Sequence, residues 1–271
     1  MSRLRYLLFL TALPALIVFV AFWLLPVSRL VLVGASGPDG MAAYLSVLTN
    51  EVHRRSLINT VLLSAIASLV SVAIAAVVGV YLQRREFAGK RVVVSLLTFP
   101  LAFPGVVIGF LVILLAGRQG LIAQASEALG MEKIVFAYSL SGLFLGYLYF
   151  SIPRCILTLM AAAEKLDPAL EEAARSLGAS PWRVVRDVIM PALKSALFAS
   201  AAICFATSMG AFGTAFTLAS KINVLPITIY SEFTNYANFA AAASLSLVLG
   251  VLTWLILMSA RSLSGQGAAA A

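Results

Sequence analysis

The chain has 271 residues, of which 62% are hydrophobic and 11% are charged, with a mean hydropathy of +1.01. A soluble domain has roughly 45–50% apolar and about 25% charged residues, so this composition excludes a soluble globular domain and indicates a membrane protein. The formal net charge of +8 does not indicate a nucleic-acid partner, because the basic residues are scattered among loops between apolar segments.

The apolar segments are long enough to cross a bilayer. A helix needs about 20 apolar residues to span a hydrocarbon core roughly 30 Å thick. We therefore predict an all-α integral membrane protein in which residues 1–260 form one transmembrane domain and the tail 261–271 is disordered. The six predicted spans are Tyr6–Leu25, Leu57–Leu82, Val92–Gly117, Ile134–Met160, Ser195–Ser220 and Phe239–Ala260.

Lysine and arginine are unevenly distributed over the loops. With the N-terminus inside, twelve of the 19 basic residues fall on the cytoplasmic side, six fall on the opposite side, and Arg154 lies within a span. Cytoplasmic loops are enriched in these residues, so both termini and the loop 162–194 are predicted to be cytoplasmic. The first span follows Arg3 and Arg5 but has no convincing small-residue cleavage site, so we expect a retained helix.

Histidine and cysteine offer little catalytic chemistry. His53 is the single histidine, and a lone histidine in a polar loop is more often solvated than catalytic, so we expect it to be exposed. Cys155 and Cys204 lie in apolar segments without a CxxC or Cys/His pattern. We expect two small buried side chains there, rather than a metal site or a disulfide.

Two prolines, Pro100 and Pro104, interrupt the third span. A proline in a membrane helix frees carbonyl groups that neighbouring helices, hydroxyls or a wet cavity must satisfy. The prolines therefore indicate either a wall of a transport pathway or a kink that serves packing alone.

Arg154 is the ionisable residue inside a predicted span. A charge at the centre of a span costs at least about 2.5 kcal/mol unless it snorkels or is paired. Arg154 lies roughly two turns from the predicted cytoplasmic end. The favoured interpretation is that it snorkels and pairs with a loop carboxylate such as Glu164, and the alternative is a direct role in transport.

The fifth span carries small and hydroxylated residues, which either permit close helix approach or line a polar path. Together with the two prolines and Arg154, they define a candidate translocation pathway. Its residues are Pro100, Pro104, Arg154, Ser208, Gly210, Phe212, Gly213 and Thr214.

The loop 162–194 contains the longest polar stretch of the chain and is predicted to form two short helices. Asp167 before Pro168 and Ser180 before Pro181 are typical helix starts, because each pairs a capping side chain with a proline at the first helical position. Gly178 suits the left-handed conformation that ends a helix. Pro191 removes a helical hydrogen bond and predicts a bend. Composition alone allows either an amphipathic element on the membrane surface or a docking surface.

The spacing of this loop favours the docking surface. Glu172, Ala173 and Ala174 are followed after three residues by Gly178, and after nine more by the sequence VIMP, which ends at Pro191. This pattern resembles the EAA signature of ABC importer permeases, with Val and Met in place of the usual Ile and Leu. The stretches FPLAFPGVVIG and GAFGTAFTLA, with NVLPITIY, look most like the permeases for polyamines, opines, phosphonates and ferric iron.

The resemblance implies the type I permease fold with six transmembrane helices, in a bacterial inner membrane. It also implies alternating access, in which a periplasmic binding protein delivers a small solute to a pair of permeases. The second permease would be a paralogue or a second copy. Two partner ATPase subunits would bind ATP and Mg and drive the transport, so this chain would need no cofactor of its own.

The resemblance further implies that the loop is a coupling helix seated in a cleft of the ATPase. Glu171 and Glu172 would provide polar contacts with the ATPase, and Ala173 and Ala174 would permit close approach. Gly178 would set the angle between the two helices, and Pro191 ends the signature.

No segment reads GxxxxGK followed by Ser or Thr, so the sequence predicts no nucleotide-binding site of its own, and no HExxH or GxSxG motif suggests an enzyme. The main hypothesis is therefore the permease subunit of an ATP-driven importer. The alternative is a stand-alone ion-coupled carrier or channel, which would need ionisable groups at mid-membrane, where only Arg154 is available. A membrane scaffold without transport is a third hypothesis, disfavoured by the hydroxyl-rich fifth span.

Overall fold

The computed structural model describes residues 13–38, 40–218 and 222–263. Within these ranges the secondary structure is helical, with no β-strand. The predicted start of the first span at Tyr6, the flanking Arg3 and Arg5, and the tail after Leu263 lie outside them. The first three residues of the predicted disordered tail belong instead to the last helix, which ends at Leu263.

Six helical segments in the described part of the chain are long and apolar enough to cross a membrane, as the sequence predicts. The helices of the described residues are α1 Leu13–Gly34, α2 Gly40–Thr49, α3 Glu51–Arg84, α4 Lys90–Thr98, α5 Gly105–Ala116, α6 Leu121–Ala128, α7 Leu140–Glu164, α8 Pro168–Ser176, α9 Pro181–Met209, α10 Phe212–Leu218, α11 Leu225–Thr234 and α12 Phe239–Leu263. The six segments that could cross the membrane are α1, α3, α5 together with α6, α7, α9 and α12.

The third predicted span is not one helix. Helix α4 ends at Thr98, a short 3-10 turn covers Phe99–Ala102, and α5 begins only at Gly105. Phe103, the residue before Pro104, is extended with ψ 133°. A proline ring disfavours the helical conformation of the residue before it, which explains why the break falls here.

The fourth span lies further along the chain than predicted. Helix α7 begins at Leu140 because the preceding segment is not helical: the amides of Phe136 and Ala137 both donate to the carbonyl of Ala116, at 3.1 Å. At its other end the helix continues to Glu164 through three alanines, which favour helix even where the apolar span has ended.

The fifth span is continuous with the second helix of the loop 162–194, so its predicted start at Ser195 is wrong. Helix α9 runs from Pro181 to Met209, and a π-helical turn at Val185–Ile189 directly precedes Met190 and Pro191. The amide of Met190 donates to the carbonyl of Val185, five residues back. A π-turn before a proline shifts the hydrogen-bond register, which lets the helix continue past a residue that lacks an N–H group.

The chain divides into two compact units. The first unit comprises residues up to Arg55 together with Thr228–Val251, and the second comprises Ser56–Ile227 together with residues from Leu252 onward. In the first unit, the Tyr44 hydroxyl donates to the carbonyl of Val31 at 2.6 Å.

The first unit also contains His53, and the expectation of a solvent-exposed histidine is wrong. His53 is only 6% exposed, and its Nε2 lies 3.3 Å from Oε1 of Glu232 on α11. The Glu232 carboxylate also accepts a hydrogen bond from the side-chain amide of Asn238, at 3.1 Å. A partner 179 residues away along the chain cannot be identified from local sequence.

The core of the second unit forms where α5, α7 and α10 meet, with a neighbouring cluster between α3, α7 and α9. Cys155 and Cys204 belong to the second cluster, and both are buried free thiols, as predicted. Their sulfur atoms lie 3.1 Å apart, which the sequence did not indicate. Large apolar side chains such as Leu69 and Val77 point outward from α3, as expected for a helix that faces lipid.

Candidate functional site

Helix α8 and the start of α9 form the helical part of the loop 162–194, with the two helix starts that the sequence predicts. The Asp167 carboxylate accepts a hydrogen bond from the amide of Ala169 at 2.9 Å, and the Ser180 hydroxyl accepts one from the amide of Arg183 at 3.4 Å. Each cap satisfies an N–H group that has no partner within its own helix. The two helices therefore begin where the Asp-Pro and Ser-Pro pairs place them.

Gly178 ends α8 in the left-handed conformation, with φ +81°. The amide of Ala179 donates to the carbonyl of Ala174 at 3.0 Å, and the amide of Gly178 donates to that of Arg175 at 2.9 Å. This hydrogen-bond pair is the Schellman motif, which a residue with a side chain adopts only at a cost. The turn between α8 and α9 is thus a defined structure rather than a loose loop.

Five side chains of this loop, three of them large and apolar, are exposed, and we call them together the coupling surface. Leu177 is 89% exposed, Trp182 is 69% exposed and Leu170 is 54% exposed. Glu172 and Ala173 are exposed beside them. Leu170 and Leu177 lie outside the six candidate spans, and exposed apolar side chains in such a position are typical of a protein-binding site.

The two adjacent glutamates of the signature have different environments. Glu171 is buried, and its carboxylate lies 2.8 Å from the Arg84 guanidinium at the end of α3 and 3.6 Å from that of Arg175. Arg84 also donates to the carbonyl of Leu166 at 3.2 Å. Glu171 therefore fastens α8 to α3, whereas Glu172 is available to a partner.

The other residues of the signature occupy distinct positions in the loop. Ala173 lies on the coupling surface, and Ala174 is half-buried against the cluster of Ala163, Val184 and Ile189. Pro191 is exposed on α9, directly after the π-turn.

Six of the eight predicted pathway residues line a single cavity of about 360 Å³ in the second unit, which we call the Arg154 cavity. It lies between the break after α4, the start of α5, the middle of α7 and the end of α9. The predicted residues that line it are Pro100, Arg154, Gly210, Phe212, Gly213 and Thr214.

The remaining two predicted residues do not line this cavity. Pro104 immediately precedes α5 with an extended backbone, and Ser208 is fully buried between helices. Thr207, which precedes Ser208, faces the cavity instead. A shift of one residue on a helix turns the side chain by about 100°, so the face that borders a cavity depends on the helix rotation.

Arg154 does not have the expected partner. Its Nη1 donates to Oγ1 of Thr207 on α9 at 2.9 Å, and no ion pair of the described residues joins it to Glu164. Because α7 ends at Glu164, Arg154 lies ten residues from that end, or about 15 Å at 1.5 Å per residue. The arginine is directed across the helix interface towards Thr207, which lines the same cavity, and the expected pairing with Glu164 is wrong.

The sequence also resembles known transport proteins. The family described as "Binding-protein-dependent transport system inner membrane component" matches residues 71–264. The probable molybdenum ABC transporter permease protein of Haloferax volcanii is 32% identical over 241 residues, which cover 89% of this chain and 85% of that protein.

Two further relatives are named for other solutes. The chloroplastic sulfate permease 2 of Chlamydomonas reinhardtii is 31% identical over 221 residues, covering 79% of this chain and 59% of that protein. The putative 2-aminoethylphosphonate transport system permease protein PhnU of Salmonella typhi is 28% identical over 239 residues, covering 86% of this chain and 82% of that protein. The phosphonate relative agrees with one of the solute classes expected from the sequence, whereas polyamines, opines and ferric iron stay predictions.

The fold has a solved counterpart. A bacterial alginate ABC transporter, in complex with an alginate-bound periplasmic protein, contains a chain that matches this structure with a TM-score of 0.81. The match covers 97% of this chain and 95% of that chain at 18% sequence identity, so it supports the fold alone. The family match favours the importer subunit over the stand-alone carrier. With six spans, the EAA spacing and this match over residues 71–264, the chain belongs to the family of inner-membrane permease components of binding-protein-dependent ABC importers.

Proposed function

We propose that this permease subunit carries a tetrahedral oxyanion of the molybdate, sulfate or phosphonate class across the membrane. Three relatives are named for molybdenum, sulfate and 2-aminoethylphosphonate transport. Molybdate, sulfate and phosphonate groups each have a tetrahedral central atom that carries at least three oxygen atoms, and each is negatively charged. An oxyanion is therefore the chemistry that these relatives have in common.

The observation that carries the proposal is the sign of the charge in the Arg154 cavity. The side chains that line it include one guanidinium and no carboxylate. A polyamine or ferric iron would bring positive charge towards Arg154 and would be repelled in a site of low dielectric constant. An oxyanion would be attracted to the same group. The cavity thus favours an anionic solute over the two cationic classes expected from the sequence.

Uptake by the complete transporter tests the solute class. Membrane vesicles that contain this permease with its partner subunits and binding protein would be offered labelled molybdate, sulfate and 2-aminoethylphosphonate, and separately a polyamine and ferric iron. We expect ATP-dependent uptake of at least one oxyanion and competition among the oxyanions. Uptake of a cation alone would overturn the proposal.

We also propose that the coupling surface docks on the ATPase subunit. Glu172, Leu177 and Trp182 are exposed on either side of the turn at Gly178, and α8 is tied to α3 through Glu171. A rigid, exposed element that joins two membrane spans directly can transmit a displacement to them.

Copurification tests this docking. We expect an ATPase to copurify with the wild-type protein from its native membrane, identified by mass spectrometry, and to be lost with Glu172→Arg, because the variant places a charge of opposite sign in the interface. The matched control is Glu132→Arg, which makes the same change at an exposed residue on the predicted outer side. Loss of the ATPase with both variants, or with neither, would contradict the assignment of Glu172.

A further inference from the structure

Arg154 lies deep in the membrane domain without a neutralising carboxylate. It is ten residues from the end of α7 and lines the Arg154 cavity together with Thr207. The ion pairs among the described residues do not include it. An unpaired charge inside a span is unfavourable and is typically associated with function.

The hydrogen bond to Thr207 orients the guanidinium without neutralising it. The Thr207 hydroxyl donates to the carbonyl of Ile203 at 2.7 Å, so its oxygen is free to accept from Nη1 of Arg154. A guanidinium carries five N–H donors, and Thr207 accepts from only one of its nitrogen atoms. Donors therefore remain for a ligand, in the planar arrangement that matches two oxygens of an oxyanion.

A second source of positive potential borders the same cavity. Gly105 and Val106, the first two residues of the twelve-residue helix α5, line the cavity together with Arg154. The N-terminus of a helix carries a partial positive charge and exposed N–H groups. Gly213 lines the cavity beside this N-terminus and packs closely against it, because a Cβ on Gly213 would lie 3.0 Å from the amide nitrogen of Val106.

We propose that Arg154, held by Thr207 and assisted by the N-terminus of α5, is an anion-binding station on the translocation path for a tetrahedral oxyanion. This inference rests on the proposed oxyanion transport and adds the site within the membrane domain. A second cavity of about 360 Å³, lined by residues such as Leu111, Leu148 and Ile152, offers no charged group and does not fit this ligand. The binding is transient, because a single arginine without a second charge attracts an anion but also releases it.

The test compares substitutions of Arg154 in the complete transporter, reconstituted with its ATPase and binding protein. We expect Arg154→Gln to lower the rate of oxyanion uptake by about 10-fold or more, the loss typical of a charge-assisted hydrogen bond. Arg154→Lys retains the charge but not the planar donor pair, so intermediate uptake is expected. The control Lys133→Gln removes a positive charge from an exposed loop and leaves uptake unchanged.

A second measurement separates anion binding from a structural role. The ratio of molybdate uptake to sulfate uptake is measured for the wild type, Arg154→Lys and Thr207→Val. We expect the ratio to change by about 3-fold or more in these variants, because an altered donor geometry discriminates between oxyanions of different size. A loss of folding would lower both rates equally, and copurification of the ATPase reports that the complex is assembled.

The outcomes distinguish the two proposals. If the wild type transports no oxyanion, the proposed function fails, and this site fails with it. If the wild type transports an oxyanion and Arg154→Gln transports it at the wild-type rate, the site alone is overturned. If the Arg154→Gln permease does not assemble with its ATPase, the other two variants decide. A wild-type ratio of molybdate uptake to sulfate uptake in both Arg154→Lys and Thr207→Val then overturns the site.

Discussion

At the scale of single residues, glycines determine how closely the membrane helices approach one another. A Cβ added to Gly109 on α5 would lie 2.5 Å from Cβ of Thr217 on α10, and one added to Gly146 on α7 would lie 2.7 Å from the methyl group of Thr214. The Thr214 hydroxyl donates to the carbonyl of Gly105 on α5, and the Thr217 hydroxyl lies 3.0 Å from the carbonyl of Gly213 and 3.3 Å from that of Val106. Thr217 thus serves helix packing, whereas Thr214 both packs and borders the Arg154 cavity.

We expect Gly109→Ala to destabilise the protein by about 1–3 kcal/mol, the usual cost of overpacking a core. The added methyl group would force α5 and α10 apart. The measurement is the thermal unfolding midpoint of the detergent-solubilised protein. Gly250→Ala is the matched control, because nothing lies within 4 Å of a Cβ at that position. Equal midpoints for the two variants would show that this contact can relax at no cost.

At the scale of secondary-structure elements, α8 is held at both ends and along one side. The cap at Asp167 and the left-handed turn at Gly178 define its two ends. The ion pair between Glu171 and Arg84 fixes its side against the end of α3. The family resemblance gives Glu171 and Glu172 the same role as polar contacts with the ATPase, and only the position of α3 separates their environments.

We expect Glu171→Gln to lower stability by about 1–3 kcal/mol, since it leaves the partly buried Arg84 without its charged partner. Glu172→Gln makes the same chemical change at the adjacent, exposed position and should leave the thermal unfolding midpoint unaltered. The exchange of both charges in Arg84→Glu with Glu171→Arg should recover part of the loss. If the Glu171→Gln protein is as stable as the wild type, the ion pair between Glu171 and Arg84 contributes nothing to the free energy of unfolding.

At the scale of the whole molecule, the lysine and arginine distribution predicts that both termini and the coupling surface are cytoplasmic. The two native cysteines are buried, so single introduced cysteines can report the orientation over a low background. Ser176 on α8 and Gln119 between α5 and α6 are both exposed and are predicted to lie on opposite sides of the membrane.

We expect a membrane-impermeant maleimide, applied to cells with a permeabilised outer membrane, to label Gln119→Cys and not Ser176→Cys. Inverted inner-membrane vesicles should show the opposite labelling, and the wild-type protein should stay unlabelled in both. Labelling of Ser176→Cys from the outside would mean that the orientation is reversed.

The sequence by itself determined the number of spans, the two-helix loop with its caps and its glycine turn, and the family, because these depend on hydropathy and on short-range spacing. It placed helix boundaries less well where proline was involved. The break before Gly105 and the π-turn before Pro191 reflect hydrogen-bond registers that composition does not reveal.

The tertiary structure alone decided which side chains meet. Arg154 contacts Thr207, which is 53 residues away along the chain, and His53 contacts Glu232, which is 179 residues away. Glu171 on α8 pairs with Arg84 at the end of α3. Such pairs depend on how each helix is rotated and where it lies against its neighbour. Those quantities follow from the packing of many side chains at once, whereas hydropathy and spacing act along the chain.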